Sequence, residues 1–153
     1  MTNKNLDKLA GEVALQICDP AVVDAVVDIG TLENLATKAL GVLQEQGVYA
    51  MMVFLLSRGG NKPFTDPKIS NKNKAAICCI DSLNDSLKKD PLRLLPLNPN
   101  GVISLKSGNN NGVKKAILEM YLKISESLES LLMVKEFYEQ TLIYVRHISK
   151  GLQ

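Results

Sequence analysis

Val113-Lys-Lys-Ala-Ile-Leu-Glu-Met-Tyr-Leu-Lys-Ile-Ser-Glu-Ser-Leu-Glu-Ser-Leu-Leu-Met-Val-Lys-Glu-Phe-Tyr-Glu-Gln-Thr-Leu-Ile-Tyr-Val-Arg-His-Ile-Ser-Lys150 contains neither glycine nor proline. As one α-helix its about 38 residues would span roughly 57 Å. Apolar side chains recur at Ile117, Tyr121, Ile124, Leu128, Leu131, Tyr138, Leu142 and Val145, a 4-3 spacing broken only by Lys135. Lys123, Glu126, Glu129, Glu136 and Glu139 fall mainly on other faces. A long helix with one apolar edge needs other helices to cover it, so the stretch predicts an all-α bundle with a long C-terminal helix.

Working back from it, the segments upstream read as helices of the same bundle. Asn5 to Cys18 places Leu6, Leu9, Val13, Leu15 and Ile17 near helical spacing before Asp19-Pro20 interrupts it. Pro20 to Ile29 predicts a short second helix, although its four valines suit a strand as well. Gly30 closes it, and Thr31 with Glu33 opens the next. Leu35, Ala36, Ala39, Leu40 and Leu43 then follow the i, i+3, i+4 stripe. Gly47 either ends that helix or thins it for close packing. Val48 to Ser57 is apolar on every face and belongs at the bundle centre. Arg58-Gly59-Gly60 stops it, and the glycines and prolines of 59–71 read as a loop. A helix capped by Ser70 or Asn71 runs through Lys89 to Asp90-Pro91. Residues 91–112 form a long connection whose Leu92, Leu94, Leu95, Leu97, Val102 and Ile103 are too apolar for a free linker, so part of it folds onto the core or onto a partner. The prediction is a single domain over residues 1–153, with about five to six helices and loops near 59–71 and 91–112.

A chain of 153 residues with 46% apolar and 22% charged side chains has a folded domain's composition, not a disordered chain's. Its net charge of +2 is unevenly spread. Residues 1–56 carry three lysines against seven acids, residues 57–115 eleven bases against four acids, and residues 116–153 four bases against five acids. The middle is therefore at +7, and clustered Lys and Arg attract phosphate whatever the total charge is.

Catalytic chemistry is poorly supplied. His147 is the single histidine, placed beside Arg146 where a helix end favours a cation on solvent, and no HExxH, GxGxxG, phosphate-loop, GxSxG or EF-hand pattern occurs. Cys18, Cys78 and Cys79 form no CxxC pair and read as small core residues. The i, i+4 pairs Asp24/Asp28 and Asp81/Asp85 could share a proton or a metal, but solvated carboxylates are the simpler account. We therefore expect no catalytic residues, no metal and no cofactor. The polar N-terminus and the nine-residue apolar limit of Val48 to Leu56 point to a cytoplasmic chain outside the membrane.

At the Gly47 junction the chain reads Val42-Leu-Gln-Glu-Gln-Gly47-Val-Tyr-Ala-Met-Met-Val-Phe-Leu-Leu-Ser-Arg58. This resembles the helix pair of the small helical subunit of type III-B (Cmr) CRISPR effector complexes, through Leu43, Gly47, Val48, Phe54, Leu55, Leu56 and Arg58. Gln46 and Ala50 depart from the Asn and Gln common there. The long C-terminal helix, Tyr121 to about Ile148, is similar to the family's final helix. The resemblance implies a noncatalytic subunit of a ribonucleoprotein in antiviral defence. Its partners would be guide RNA, target RNA, and the backbone and large subunits of the complex, with possible self-association along it.

Contacts to a phosphate backbone carry no sequence information, which suits a subunit that must accept any guide. The candidate nucleic-acid-binding residues are Arg58, Lys62, Lys68, Lys72, Lys74, Lys88 and Lys89, which flank or occupy one predicted helix and its leading loop. The competing expectation is a protein-only helical adaptor whose lysines serve solubility.

Overall fold

The computed structural model describes residues 2–22, 27–89, 92, 104–106 and 108–152. They form six helices and, among the described residues, no strand: α1 (Thr2–Val22), α2 (Ile29–Gln46), α3 (Val48–Arg58), α4 (Asn71–Ser86), α5 (Asn111–Ile124) and α6 (Leu128–Gly151). Helix α6 lies against α1 and α2, α4 packs on α1, α2 and α3, and α5 leans on α3. Helices α1 and α6 run parallel, with Leu6 and Asp7 level with Phe137 and Gln140, and Cys18 Sγ 3.9 Å from Ser149 Oγ. One core joins Val13 and Ile17, Leu32 and Leu43, Met51 and Leu55, Ile77 and Leu83, Tyr121, and Phe137 through Val145. Each such Leu, Ile or Met stabilises the fold by about 1.5–3 kcal/mol relative to exposure.

The long C-terminal stretch is two helices, not one. Ser125, Glu126 and Ser127 turn the chain between α5 and α6, with Glu126 N donating to Lys123 O and Ser127 N to Ile124 O. Ser127 Oγ then accepts from Ser130 N and starts α6. Serine side chains that bond nearby backbone offer an alternative to the helical ladder, so the break needs no glycine or proline. The bend takes Leu128 out of the apolar edge: it is 69% exposed.

At the other end of the chain, α1 passes through Pro20. Near a helix terminus proline sacrifices one ladder bond, while buried Leu9, Val13, Ala14, Ile17 and Cys18 hold α1 on its neighbours. The predicted helix from Pro20 to Ile29 is not found over its described end. Residue 27 is a bend and Asp28 is extended, while residues 23–26 lie outside the described residues. Asp28 caps α2 in place of Thr31, its carboxylate accepting from both Thr31 N and Thr31 Oγ1 at 2.9 Å, and Gly30 is helical. Ser70, not Asn71, caps α4, which ends at Ser86 and leaves Lys88 and Lys89 beyond it in turns. Leu92 and Leu105 are buried, so the 91–112 connection does touch the core at both ends; Leu94, Leu95, Leu97, Val102 and Ile103 lie outside the described residues.

Gly47 ends α2 and begins α3 at once. Its N–H donates to Leu43 O, its carbonyl accepts from Met51 N, and it holds φ 100° and ψ −177°. That region of backbone space is nearly exclusive to glycine. A Cβ would meet no atom there, so the penalty for a side chain is backbone strain alone. Gly47→Ala is expected to lower unfolding stability by about 1–3 kcal/mol, measured by urea titration. A loss below about 0.5 kcal/mol would show that the junction relaxes freely.

The deepest polar feature joins α4, α5 and α6. Tyr121 Oη donates to Asn84 Oδ1 at 2.6 Å and lies 2.6 Å from Tyr138 Oη, which donates to Leu83 O at 3.1 Å. Two phenolic protons cannot serve three contacts. Asn84 Nδ2 is buried without a partner, and a half-turn of that amide places Nδ2 on Tyr121 and completes a one-way chain from Asn84 through both phenols to Leu83 O. Burial raises both tyrosine pKa values, so the phenols stay protonated.

Candidate nucleic-acid interface

The basic residues are positioned by a polar clasp between the end of α3 and the start of α5. Gly60, at φ 66°, turns the chain after α3, and a Cβ on it would strike the Asn73 side chain at 2.7 Å. Asn73 Nδ2 donates to Arg58 O at 2.6 Å and its Oδ1 accepts from Ser70 Oγ at 2.9 Å, which ties the α3 end to the α4 cap. From nearly fifty residues downstream, Asn109 Nδ2 reaches Gly59 O, Gly60 O and Lys62 O, at 3.3, 3.3 and 2.8 Å. Lys114 Nζ donates to Gly60 O and Asn61 Oδ1. Desolvation lowers the Lys114 pKa, and its ammonium is spent inside the clasp.

A second anchor fixes the return of the 91–112 connection. Asp81 accepts from Leu105 N at 2.8 Å, Ser104 Oγ at 3.0 Å and Lys106 N at 3.1 Å. Its carboxylate is thereby occupied, and its helical neighbour Asp85 pairs with Lys89 at 3.5 Å. The Asp81/Asp85 pair is therefore structural; Asp28 is a helix cap, and Asp24 lies outside the described residues. The Asp81 anchor sets Lys106 over the Phe64 ring, 5.2 Å from its centroid, while Arg58 lies 4.9 Å over Phe54. Both rings steady a cation whose outer side faces water.

The result is a basic end of the molecule. Arg58, Lys62, Lys68, Lys72 and Lys106 are exposed and Lys74 half-buried. Lys62 Nζ touches only a backbone carbonyl, that of Lys68, at 3.3 Å. Among the described residues none of the six is in an ion pair. Asp66 is the one acid between Ser57 and Ile80, and its Oδ1 is engaged by Lys68 N.

The seven residues singled out from sequence do not form one patch. Arg58, Lys62, Lys68, Lys72 and Lys74 gather around the clasp, but Lys88 and Lys89 lie beyond the far end of α4. Twelve helical residues, 75–86, lie between Lys74 and Lys88, about 18 Å along the axis. That exceeds two Debye lengths at physiological salt, so the groups do not reinforce one another. Lys106 joins the basic end in their place. Its charge was visible in the sequence, but its location depends on Asp81 and Phe64, whose pairing no local pattern announces.

His147 and the three cysteines fall on opposite sides of the surface. His147 is exposed on α6. All three cysteines are buried. Burial raises the pKa of Cys18 and Cys78 and pushes that of Cys79 up to about 12, so they carry protons at neutral pH and make poor nucleophiles. Among the described residues no helix is long and apolar enough to cross a membrane, and no group of His, Cys, Asp and Glu could hold a metal. The chain matches no protein-family model, no curated protein and no solved structure.

Proposed function

We propose that the chain is a noncatalytic, cytoplasmic RNA-backbone-binding subunit of a ribonucleoprotein. The observation that carries this reading is the gathering of Arg58, Lys62, Lys68, Lys72, Lys74 and Lys106, without ion pairs, at one end of the bundle. The junction Val42 to Arg58, which resembles the Cmr small subunit, supports the finer version: a small subunit of a type III CRISPR effector that lies along guide and target RNA between backbone and large subunits. Helices α2 and α3 do meet there at Gly47, and Arg58 closes α3 at the edge of the basic end. Lysines and arginine around a hydrogen-bonded clasp present charge to a phosphate backbone, which suits any RNA sequence.

Titration with salt tests the reading. If all six cations engage single-stranded RNA, log affinity falls with log salt at a slope of about −4, and unrelated sequences of equal length bind alike. A protein-only adaptor would show no retention on RNA at 50 mM salt, and that result would overturn the proposal.

A further inference from the structure

Far from the clasp, around the turn between α5 and α6, three leucines are more exposed than covered: Leu122 at 51%, Leu128 at 69% and Leu132 at 55%. Only three other large apolar side chains are exposed among the described residues, Leu15, Val53 and Leu152, and they are scattered. Single exposed leucines need no explanation, but a concentration of them within eleven positions does. Leu128 and Leu132 are four apart on α6, so they form one ridge of that helix. Glu136, four beyond Leu132, continues that row and Glu129 stands beside it, both exposed, with Glu126 in the turn below. None of these three glutamates has an ion pair among the described residues, whereas Lys135 is committed to Glu139 at 3.9 Å.

We propose that this ridge docks an amphipathic helix of another protein, one whose apolar stripe is bordered by Lys or Arg. A ridge of residues four apart fits the groove of a facing helix, and three unpaired carboxylates on its margin complement cations there. The same margin disfavours a second copy of the chain. Two α6 helices packed antiparallel through Leu132 would set Glu129 of one copy beside Glu136 of the other. An anionic lipid surface is repelled by the same charges. The inference does not rest on RNA binding, because α5 places about 21 Å between the clasp and the turn.

The test uses two dye-labelled 18-residue helical peptides, each with leucines at i, i+3, i+4 and i+7. One carries Lys and Arg beside the stripe, the other Glu, and both are titrated with the full chain by fluorescence anisotropy. The basic peptide is expected to bind at least about tenfold more tightly than the acidic one. Leu128→Ser with Leu132→Ser should weaken it about tenfold or more, and Glu129→Lys with Glu136→Lys should reverse the preference, all with RNA retention unchanged. These are surface positions, so circular dichroism and thermal unfolding should match the parent chain. Equal binding of the two peptides, or indifference to the leucine changes, would overturn the proposal. So would dimerisation of the parent chain that the leucine changes abolish, which would give the ridge to a second copy. A gain in peptide affinity on replacing Leu94, Leu95 and Leu97 by serine would give it to the chain's own connection and overturn the proposal equally.

Discussion

Lys62→Glu, Lys68→Glu and Lys72→Glu together are expected to lower affinity for single-stranded RNA by about a hundredfold or more at 0.1 M salt. Each phosphate contact releases counterion worth a factor of about five at that ionic strength, so three lost contacts account for the figure before repulsion is added. The slope of log affinity against log salt should fall from about −4 to about −2. All three side chains are exposed and free of ion pairs, and their one contact with the fold is the exposed 3.3 Å bond from Lys62 Nζ to Lys68 O. Lys88→Glu with Lys89→Glu is the matched control. Lys89 is already paired with Asp85, and both lie across the length of α4 from the clasp, so their reversal should change affinity by less than about threefold. Equal losses from the two sets would mean that charge acts only as a total, and the clasp would lose its place in the account.

Tyr138→Ala is expected to cost about 3–5 kcal/mol of unfolding free energy, the range for emptying a buried aromatic site. Tyr138 is fully buried, with its ring 6.4 Å from that of Tyr121 and 5.9 Å from that of Phe137. Tyr138→Phe separates the two contributions. It keeps the ring but removes one of the donors to Leu83 O, which retains Ser86 Oγ, and one of the two partners of Tyr121 Oη, which retains Asn84, for a cost of about 0.5–1.5 kcal/mol. A double-mutant cycle with Tyr121→Phe should give a coupling of about 1 kcal/mol, because the second substitution breaks a chain already broken. Urea denaturation measures all three. A Tyr138→Phe variant within about 0.5 kcal/mol of the parent chain would show that the phenols contribute packing alone. RNA affinity should be unchanged in that variant, since the polar chain lies inside the bundle.

Legibility in the sequence followed the range of each interaction. The stripe Leu35, Ala36, Ala39, Leu40 and Leu43 was readable because periodicity reports which face is covered, and all five are buried. Periodicity says nothing of where a ladder stops, so the pattern runs unbroken through the serine-capped turn at 125–127 and places Leu128 on the apolar edge, although it is exposed. Pro20 misleads in the opposite direction: its break signal is local, while the packing that holds α1 on its neighbours is tertiary. The basic end divides in the same way. Arg58 to Lys74 lie together in the chain and in space, so charge counting found them. Lys88 and Lys89 look adjacent to that group on paper and are separated by a helix, whereas Lys106 is distant in sequence and near in space. The Tyr121–Tyr138–Asn84 chain had no signal beyond two tyrosines on an apolar edge, since a hydroxyl's partner cannot be read from spacing.

The parallel seating of α1 on α6, with 131 positions between Cys18 and Ser149, has a consequence for biosynthesis. At about 5–20 residues per second, the ribosome needs about 7–26 s after Cys18 to supply Ser149. Throughout that interval Leu9, Val13 and Ile17 on the nascent chain lack their final neighbour. Loop closure of this length also raises the contact order above that of an up-and-down bundle, and it slows maturation accordingly.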